Sequence, residues 1–397
     1  MRVKLGEVFF IIRNGASIKQ TDRATGLPIT RIETISDYSI DRNKFGYANI
    51  IDITAYKNYL LQDQDILMSH INSEKHLGKS AIYFKNDENE QIIHGMNLLM
   101  LRANQKILLP KYAFYFFLTQ YFKKQLINII KKSVNQASFT VSSLKDLEIP
   151  LPPLEEQKKI ATILDKITDL INKRRQQLSK LDELVKARFV EMFGDPVLNS
   201  KNWNKELLLN LTNKIGSGAT PLGGRESYYK SGISLIRSMN VHNGIFEYKD
   251  LAYINELQAT QLNNVIVEEN DILFNITGAS ITRSCIVPKK ILPARVNQHV
   301  LIIRCKLERI NPIFINQQIL NDNLKNYLLF LGEANGATRQ ALTKQQIENL
   351  EFIVPPIELQ NEFANFVEQT EKTKLAINAS LDKLEILKKS LMQKYFG

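Results

Sequence analysis

Three motifs in this sequence could carry chemistry, and each lacks a part that its chemistry needs. The glycine-rich run Gly216–Gly224, GSGATPLGG, is without the Lys-Ser/Thr ending of a phosphate loop. The Pro-Pro pairs read Leu-Pro-Pro-Leu and Val-Pro-Pro-Ile, whereas an amino-methyltransferase needs an Asn/Asp-Pro-Pro-aromatic loop to grip a flipped base. The run Glu156-Gln157-Lys158 lacks the preceding Pro-Asp of a metal-dependent nuclease. We therefore expect no catalytic residues in this chain.

Metal and covalent chemistry are also not indicated by the reactive side chains. Cys285 and Cys305 are the only cysteines, which excludes a disulfide framework and a cysteine-rich zinc site. The histidines show neither metal-ligand spacing nor a Ser/His/Asp grouping, and they are His70, His76, His94, His242 and His299. We predict no metal and no cofactor in this chain.

The length and composition favour two packed domains. The chain has 397 residues, of which 44% are hydrophobic, so two domains of ordinary size are expected. The longest apolar runs, such as Val8–Ile12 and Ala113–Leu118, are far shorter than the roughly 20 residues that cross a bilayer. No signal-peptide pattern is present, so we expect a cytoplasmic protein without membrane contact.

The charge balance points to a polyanionic partner. Lys and Arg number 52 and Asp and Glu number 41, giving a formal charge of +11 and a pI of about 9.3. Such a balance favours nucleic acid as a partner, although many mildly basic proteins bind none.

An internal repeat of about 200 residues organises the chain. A shift of 203 residues superposes Pro152-Pro153 on Pro355-Pro356, and the same shift places Phe193-Gly194 on Phe396-Gly397. The same shift aligns residues elsewhere in the two halves, namely Gly15 with Gly218, Thr140 with Thr343, Gln157 with Gln360 and Leu184 with Leu387. A period this long is a duplicated domain pair and not a solenoid.

Each copy predicts a mixed α and β domain followed by a long helix. Short β-like runs such as Asp271-Ile-Leu-Phe274 alternate with Gly, Asn and Asp turns, and helical patches follow at Tyr112–Lys132 and Pro312–Leu331. The prolines then end a strand, and acidic residues after them suit a helix start. We therefore predict mixed α and β (α+β) globular domains at 1–148 and 195–351, and long helices at 149–194 and 352–397.

The two helices carry heptad-like apolar stripes. From Leu154 to Gly194 the first would extend roughly 60 Å at about 1.5 Å per residue. We predict that the two stripes pair as an antiparallel coiled coil, although two ordinary helices packed on their own domains would also fit. The predicted interhelix residues are Leu164, Ile167, Ile171, Leu178, Leu181, Val185, Phe363, Ile377, Leu381, Leu384 and Leu391.

These features together resemble the specificity subunits of type I restriction-modification systems. The resemblance covers the whole chain, and its most specific elements are IPLPPLEEQKKIA and VPPIELQ, each placed before a long helix. The second domain also matches in Gly216-Ser-Gly-Ala-Thr-Pro221 and Asn297-Gln298. The first domain departs from this pattern, with Asn14-Gly15-Ala16-Ser17-Ile18 and His94-Gly95-Met96-Asn97 at those places.

The resemblance implies a non-catalytic DNA-binding subunit. Each globular domain, a target recognition domain, would read half of a bipartite asymmetric sequence, and the helices would set the gap. They would also dock two methyltransferase subunits, which bind S-adenosylmethionine, and a translocating nuclease subunit could join. Two alternatives stay open: a specificity module for a fused methyltransferase-nuclease chain, and a structural scaffold that binds no DNA.

Candidate DNA contacts are polar and basic residues on predicted loops, because these side chains reach base edges and phosphates. Arg31 with Arg237, and Lys79 with Arg283, rank first since they occupy matching positions of the two copies. The full predicted set is Lys19, Arg23, Arg31, Lys75, Lys79, Thr220, Arg225, Arg237, Asn240, Arg283 and Arg339.

Overall fold

The computed structural model describes residues 1–23, 25–36, 38–50, 52–133, 136–221, 224–333 and 340–397. These residues form two compact units: residues 1–175 with 378–397, and residues 176–377. Each unit contains one globular domain, part of the long helix that follows it and part of the other long helix. In the described part of the chain, no helix is long and apolar enough to cross a membrane.

The first unit has short strands and helices before its long helix. Its strands are β1 Arg2–Lys4, β2 Phe9–Asn14, β3 Pro28–Ile29, β4 Ile35–Ser36, β5 Ser39–Ile40, β6 Gly46–Tyr47, β7 Ile66–Ser69, β8 Ile71–Asn72, β9 Ser80–Ile82, β10 Leu98–Ala103, β11 Lys131–Lys132, β12 Ala137–Ser138 and β13 Glu148–Pro150. Its helices are α1 Leu5–Val8, α2 Pro110–Phe117, α3 Gln120–Ile127, α4 Val141–Lys145 and α5 Leu154–Phe193, of which α5 continues into the second unit.

The second unit repeats this order. Its strands are β14 Lys205–Leu207, β15 Thr212–Ser217, β16 Ile233–Ile236, β17 Ala252–Ile254, β18 Ile266–Val267, β19 Ile272–Asn275, β20 Ser284–Ile286, β21 Ala294–Val296, β22 Val300–Cys305 and β23 Glu351–Ile353. Its helices are α6 Leu208–Leu211, α7 Glu256–Thr260, α8 Pro312–Ile319, α9 Asp322–Glu333, α10 Lys344–Glu348 and α11 Ile357–Phe396, of which α11 continues into the first unit.

The predicted helical patches are each divided in two. The side chain of Thr119 accepts a hydrogen bond from the backbone amide of Phe122, so it caps a new helix after α2. In the second domain the Asn321 side chain accepts from the amides of Asn323 and Leu324 at the start of α9. A polar capping residue therefore stops the first helix and starts the next in both copies.

An antiparallel four-stranded sheet forms the centre of each domain, with the same topology in both. The strand orders are β2-β10-β7-β9 and β15-β22-β19-β20. Alternate residues of the central strands face different apolar clusters: Leu99 and Leu101 lie in one cluster, and Leu98 and Met100 lie in another. The sheet is thus covered on both faces, which explains why its strands read as continuous apolar runs and not as alternating ones.

The domains differ in what covers the second face. The second domain has another four-stranded sheet of order β17-β16-β21-β18, in which β16 and β21 are parallel. In the described part of the first domain, the corresponding stretch of chain holds the two-stranded pairs β3-β6 and β4-β5. The duplication therefore preserves the central sheet while this layer has diverged.

A buried glutamine fixes the start of the first long helix. Strand β13 pairs with β1 at the beginning of the chain, and Pro152 and Pro153 separate β13 from α5. Gln157, in the first turn, is fully buried. Its Nε2 donates to the carbonyls of Ile107 and Pro152, both at 2.8 Å, and its Oε1 accepts from the amide of Leu109 at 2.9 Å. The helix is therefore attached to the loop that follows β10.

The second long helix begins in the same way. Strand β23 pairs with β14, and Gln360 is fully buried near the start of α11. Its Oε1 accepts from the amide of Asn311 at 2.9 Å, and its Nε2 donates to the carbonyls of Pro355 at 2.7 Å and Arg309 at 3.4 Å. The repeated Pro-Pro motif thus encodes a helix start that is bonded to its own domain.

Within the first unit, α5 and α11 run antiparallel. Arg175 Nη2 lies 2.8 Å from Glu385 Oε1, and nearer the start of α5 Leu164 shares an apolar cluster with Phe396 at the end of α11. The Phe396 ring lies 5.0 Å from the ring of Tyr112, on α2 of the first domain. The phenylalanine of the second Phe-Gly therefore packs the end of α11 against the first domain.

Within the second unit, the same helices also run antiparallel. Asp182 Oδ1 lies 2.5 Å from Lys374 Nζ, and further along α5 Arg188 Nη2 lies 3.0 Å from Glu362 Oε1. The Phe193 ring lies 4.7 Å from Phe314 on α8 of the second domain. Each domain is therefore packed against the end of the helix that starts in the other copy of the repeat.

The predicted interhelix residues all face inward to some degree. Leu164, Ile167, Ile171, Val185 and Phe363 are buried. The rest are half-buried and lie nearer the middle of the helices or toward the end of α11, namely Leu178, Leu181, Ile377, Leu381, Leu384 and Leu391. Each apolar stripe is covered by only one partner helix, so the side chains of the leucines near the middle stay partly exposed to solvent.

Replacing Gln157 by Met should destabilise the chain by about 1 to 3 kcal/mol, because buried carbonyl and amide groups lose their partners. Gln157→Glu should cost at least as much, since a carboxylate cannot donate to the carbonyls of Ile107 and Pro152. Thermal and urea unfolding measure both. The exposed Gln176 of the same helix is the matched control, and Gln176→Met should change stability by less than about 0.5 kcal/mol. An equal loss of unfolding free energy in Gln157→Met and Gln176→Met would contradict the role of Gln157 in attaching the helix to its domain.

Candidate nucleic-acid interface

The loops of the first domain that carry predicted DNA contacts leave one edge of its central sheet. Asn14 pairs with Leu99, Leu98 pairs with Ser69, and Met68 pairs with Ser80, so the ends of β2 and β7 and the starts of β9 and β10 coincide. We call the described part of the segment 15–27, together with the segments 70–79 and 94–97, the first loop edge. The attachment of α5 follows the end of β10, which is the opposite edge.

The second domain has an equivalent second loop edge. Ser217 pairs with Leu301, and Asn275 pairs with Val300 in the same antiparallel arrangement. The second loop edge comprises the described parts of loops 218–232, 276–283 and 297–299. Both copies therefore present their loops at the edge of the central sheet opposite the long-helix attachment.

Arg31 holds the first loop edge together. It precedes a short 3-10 turn, and its side chain is half-buried. The Nε donates to Gln20 Oε1 at 2.9 Å, one Nη donates to Asp22 at 2.6 Å, and the other donates to the carbonyl of Thr21 at 3.2 Å. This guanidinium therefore fixes the loop that carries Lys19, and its contact with DNA stays a prediction.

Arg237 occupies the matching position, as the repeat predicted, and it also bonds within its domain. It precedes a 3-10 turn with nearly the same backbone angles as Arg31. Its guanidinium donates to the carbonyl of Asp250 and lies 5.3 Å from the centre of the Tyr228 ring. The two matching arginines therefore organise different loops, and their contacts with DNA stay predictions.

Asn240, another predicted DNA contact, is fully buried in its domain. Its Oδ1 accepts from the amide of Arg237 at 3.1 Å, and its Nδ2 donates to the carbonyls of Glu247 at 3.0 Å and Lys249 at 3.3 Å. These bonds use its polar atoms to close the loop after β16. An asparagine on a predicted loop gave no sequence signal for this burial.

The other predicted contacts that the structure describes lie on the loop edges. Lys19, Arg23 and Lys75 are exposed, and Lys79, Thr220 and Arg283 are half-buried. Arg283 lies 3.4 Å from the ring Nδ1 of His242. Arg225 lies in the 3-10 turn Gly224–Ser227, and its side chain is not among those that the structure describes. Arg339 lies outside the described residues. DNA contact by these residues stays a prediction.

The structure adds Lys131 and Lys132 to the first loop edge. Both lysines are exposed on β11, which pairs with β12. Strand β12 in turn pairs with β8, the strand that begins directly after His70. Lys132 Nζ lies 2.9 Å from Glu74, the neighbour of Lys75. The sequence placed this lysine pair at the end of a helix, and only the strand pairing brings it beside the loop.

The first loop edge has a positive local environment. The pKa of His76 is lowered by partial burial first and by the nearby charges of Lys79 and Lys75. Below this surface, burial lowers the pKa of His70 to about 4 and that of His94 to about 3. Both imidazoles are therefore neutral beneath a basic surface. In the described residues, no group of three His, Cys, Asp or Glu could hold a metal ion.

Comparison with known proteins identifies the family. The family model for the type I restriction modification DNA specificity domain matches residues 1–180 and again residues 206–386. The chain belongs to this family. The specificity subunit of the type I restriction enzyme MjaX from Methanocaldococcus jannaschii is 33% identical over 404 residues, which cover 98% of this chain and 91% of that protein.

Other relatives agree with this assignment. The EcoBI specificity subunit of Escherichia coli is 25% identical over 300 residues, covering 68% of this chain and 62% of that protein. Among solved structures, the type I S subunit from M. genitalium matches with a TM-score of 0.61 and 13% identity, covering 100% and 96% of the two chains. A chain solved for complex assembly and conformational transition of the type I R-M system matches with a TM-score of 0.57 and 16% identity, covering 100% and 97%. These structures share the fold of this specificity-domain chain.

Acidification should destabilise the first domain more than the second. His70 and His94 have folded pKa values below the roughly 6.5 of an unfolded histidine, so the unfolded state binds more protons below that pH. Their stabilising effect is complete above pH 6.5 and falls as the pH drops toward 4. At pH 5 each should cost about 2 kcal/mol. Hydrogen exchange at pH 7 and pH 5 should show protection lost first in β7 and β10.

The second domain supplies the control for this effect. Ile276 and Val296 stand where the first domain has His70 and His94. The variant His70→Ile with His94→Val should therefore lose most of the pH dependence between 7 and 5. An unchanged dependence in this variant, or an equal loss of protection in β19 and β22, would contradict the assignment.

Proposed function

We propose that this chain is the DNA-reading subunit of a type I restriction-modification complex. The observation that carries the proposal is the duplicated loop edge: one central sheet, built twice, presents two sets of loops with different sequences. Two domains with a common frame and different loops suit an asymmetric bipartite target, each domain reading one half. The relatives named as specificity subunits support this reading.

The long helices would set the gap between the half-sites. Each has 40 residues and so a length of about 60 Å. This length corresponds to roughly 17 or 18 base pairs at about 3.4 Å each. Ion pairs and apolar contacts join the two helices within each unit, which supports a stiff spacer over a flexible linker.

The chemistry would belong to partner subunits. In this proposal two methyltransferase subunits bind S-adenosylmethionine and modify adenine, and a translocating nuclease subunit can join them. This chain would contribute binding and orientation without a catalytic residue. Its role is therefore visible in which DNA sequence becomes methylated, and not in an activity of the isolated chain.

Exposed leucines on the helices are suited to docking these partners. Leu184 on α5 is 48% exposed, and Leu387, its counterpart in the repeat, is 46% exposed on α11. Each lies in a different unit. Other exposed apolar side chains on the two helices are Ile163, Leu170, Val190, Leu375 and Ile386. The repeated leucine offers the same contact twice, as two identical partners need.

Sequencing of methylated adenines tests the DNA-reading function. Cells that contain this chain with its neighbouring methyltransferase should show a split motif with a fixed gap, and cells lacking only this chain should lose it. Lys19→Glu with Lys75→Glu should strongly reduce the methylation, because two basic residues on the first loop edge would repel phosphates.

Lys106→Glu is the matched control for these charge reversals. Lys106 is exposed on the same domain but follows the end of β10, at the edge opposite the loops. Its replacement should leave the motif methylated at nearly the wild-type level. Methylation that persists without the chain would contradict the proposed function.

The docking surface makes a separate prediction. Leu184→Asp or Leu387→Asp should each weaken one methyltransferase site at least tenfold, because a buried leucine contributes about 1.5 to 3 kcal/mol. Native mass spectrometry of the mixed subunits should show one bound methyltransferase for each single variant and none for the double variant. Leu257→Asp is the control, since Leu257 is 73% exposed on α7 of the second domain. Two bound methyltransferases on the double variant would contradict this surface.

A further inference from the structure

A three-residue turn at the second loop edge presents one side chain to solvent. The turn Asn297–His299 joins β21 to β22. Asn297 is 5% exposed, its amide donates to the carbonyl of Ile236 at 3.1 Å, and its Oδ1 accepts from the amide of His299 at 3.1 Å. Gln298 between them is exposed. One amide side chain therefore stabilises the turn and the next one faces outward.

A neighbouring loop orients this outward glutamine. The Thr220 hydroxyl donates to Gln298 Oε1. The approach of this loop requires glycine at 218, because a Cβ there would lie 1.8 Å from the carbonyl oxygen of Val296. The amide of Gly218 donates to the carbonyl of Asn297 at 3.2 Å. With its oxygen engaged, Gln298 presents its amide N–H groups to solvent.

A third loop stiffens the same turn. Thr277 Oγ1 lies 2.7 Å from His299 Nδ1, and the amide of Ile276 donates to the carbonyl of His299 at 3.1 Å. Three loops of the second edge are thus bonded to one another at Asn297–His299. A donor held in this way loses little side-chain freedom when it binds a ligand, which favours binding.

The first domain lacks the donor at the corresponding place. A glycine also lies close to the backbone there, since a Cβ of Gly15 would lie 2.2 Å from the Gly95 carbonyl oxygen. The residue at the outward place is Met96, which is 48% exposed. A methionine sulfur is at most a weak acceptor and cannot donate. At this outward position the second domain therefore has a hydrogen-bond donor and the first domain has none.

We propose that the Gln298 amide donates a hydrogen bond to a DNA phosphate beside the second half-site, and that the first domain makes no such contact. This proposal rests on the proposed DNA-reading function. The turn is short and starts where the strands end, whereas the loops beside it are longer, so those loops reach further into a groove. A neutral donor at this level meets the backbone, whose phosphate oxygens accept from Gln and fix the register of the protein on the duplex.

The contact predicts a loss that is independent of DNA sequence. Gln298→Met in the full chain should lower affinity about fivefold for a 40-base-pair duplex with the split motif and equally for a scrambled duplex. The salt dependence of binding should not change, because no charge is removed. Fluorescence anisotropy between 50 and 300 mM salt measures both properties.

Two further variants make the test decisive. Met96→Gln should raise the affinity for both duplexes by a similar factor, since it supplies the missing donor at the corresponding place. Gln345→Met, at an exposed position of α10, should change nothing. Unfolding temperatures of all variants identify any effect that comes from misfolding.

The outcomes separate the two proposals. Wild-type affinity of Gln298→Met with an unchanged Met96→Gln would overturn the phosphate contact. A loss confined to the motif duplex would overturn it too, because the glutamine would then read a base. A wild-type chain that binds neither duplex at low salt would instead refute the DNA-reading function itself.

Discussion

The attachment of each long helix to its own domain is the constraint on which the rest of the structure depends. A glutamine in the first helical turn satisfies two carbonyls and one amide that would otherwise be buried without partners. Because the strand before the prolines is also paired, the chain enters the helix in one direction only. The loop edges, which leave the opposite end of each sheet, are thereby directed away from the helix start.

Comparing the two copies of the repeat distinguishes interactions that both domains keep from positions at which they differ. Asp65 is buried and bonded by Arg102 at 2.8 and 2.7 Å, and Asp271 is bonded by Arg304 at 2.8 and 2.9 Å. Leaving either carboxylate unpaired in the interior would be costly, so this pair persists in both copies. Below the loop edges, by contrast, His70 corresponds to Ile276, and the layer on the second sheet face has changed its strands.

The repeat in the sequence predicted the two domains, the helix starts and the antiparallel stripes, because these follow from local patterns and from self-similarity. It did not predict hydrogen-bond partners that are distant in sequence. Arg31 and Arg237 were placed at matching positions, yet their bonds depend on loops of different length and shape. The strand pairing that brings Lys132 beside Glu74 joins segments about sixty residues apart, and periodicity carries no information about such contacts.

In the proposed function, a protein that reads a two-part DNA sequence benefits from two domains that differ in their loops. If both domains were identical, the chain would fit its target in two orientations, and partners on the two helices could not be assigned to particular strands of the DNA. Differences at the loop edges remove this ambiguity, while the shared central sheet keeps the helix starts equivalent. In the proposed function, the shared frame would serve symmetric assembly with two partners, and the diverged edges would serve asymmetric recognition. One chain can satisfy both requirements because they are met at opposite edges of the same sheet.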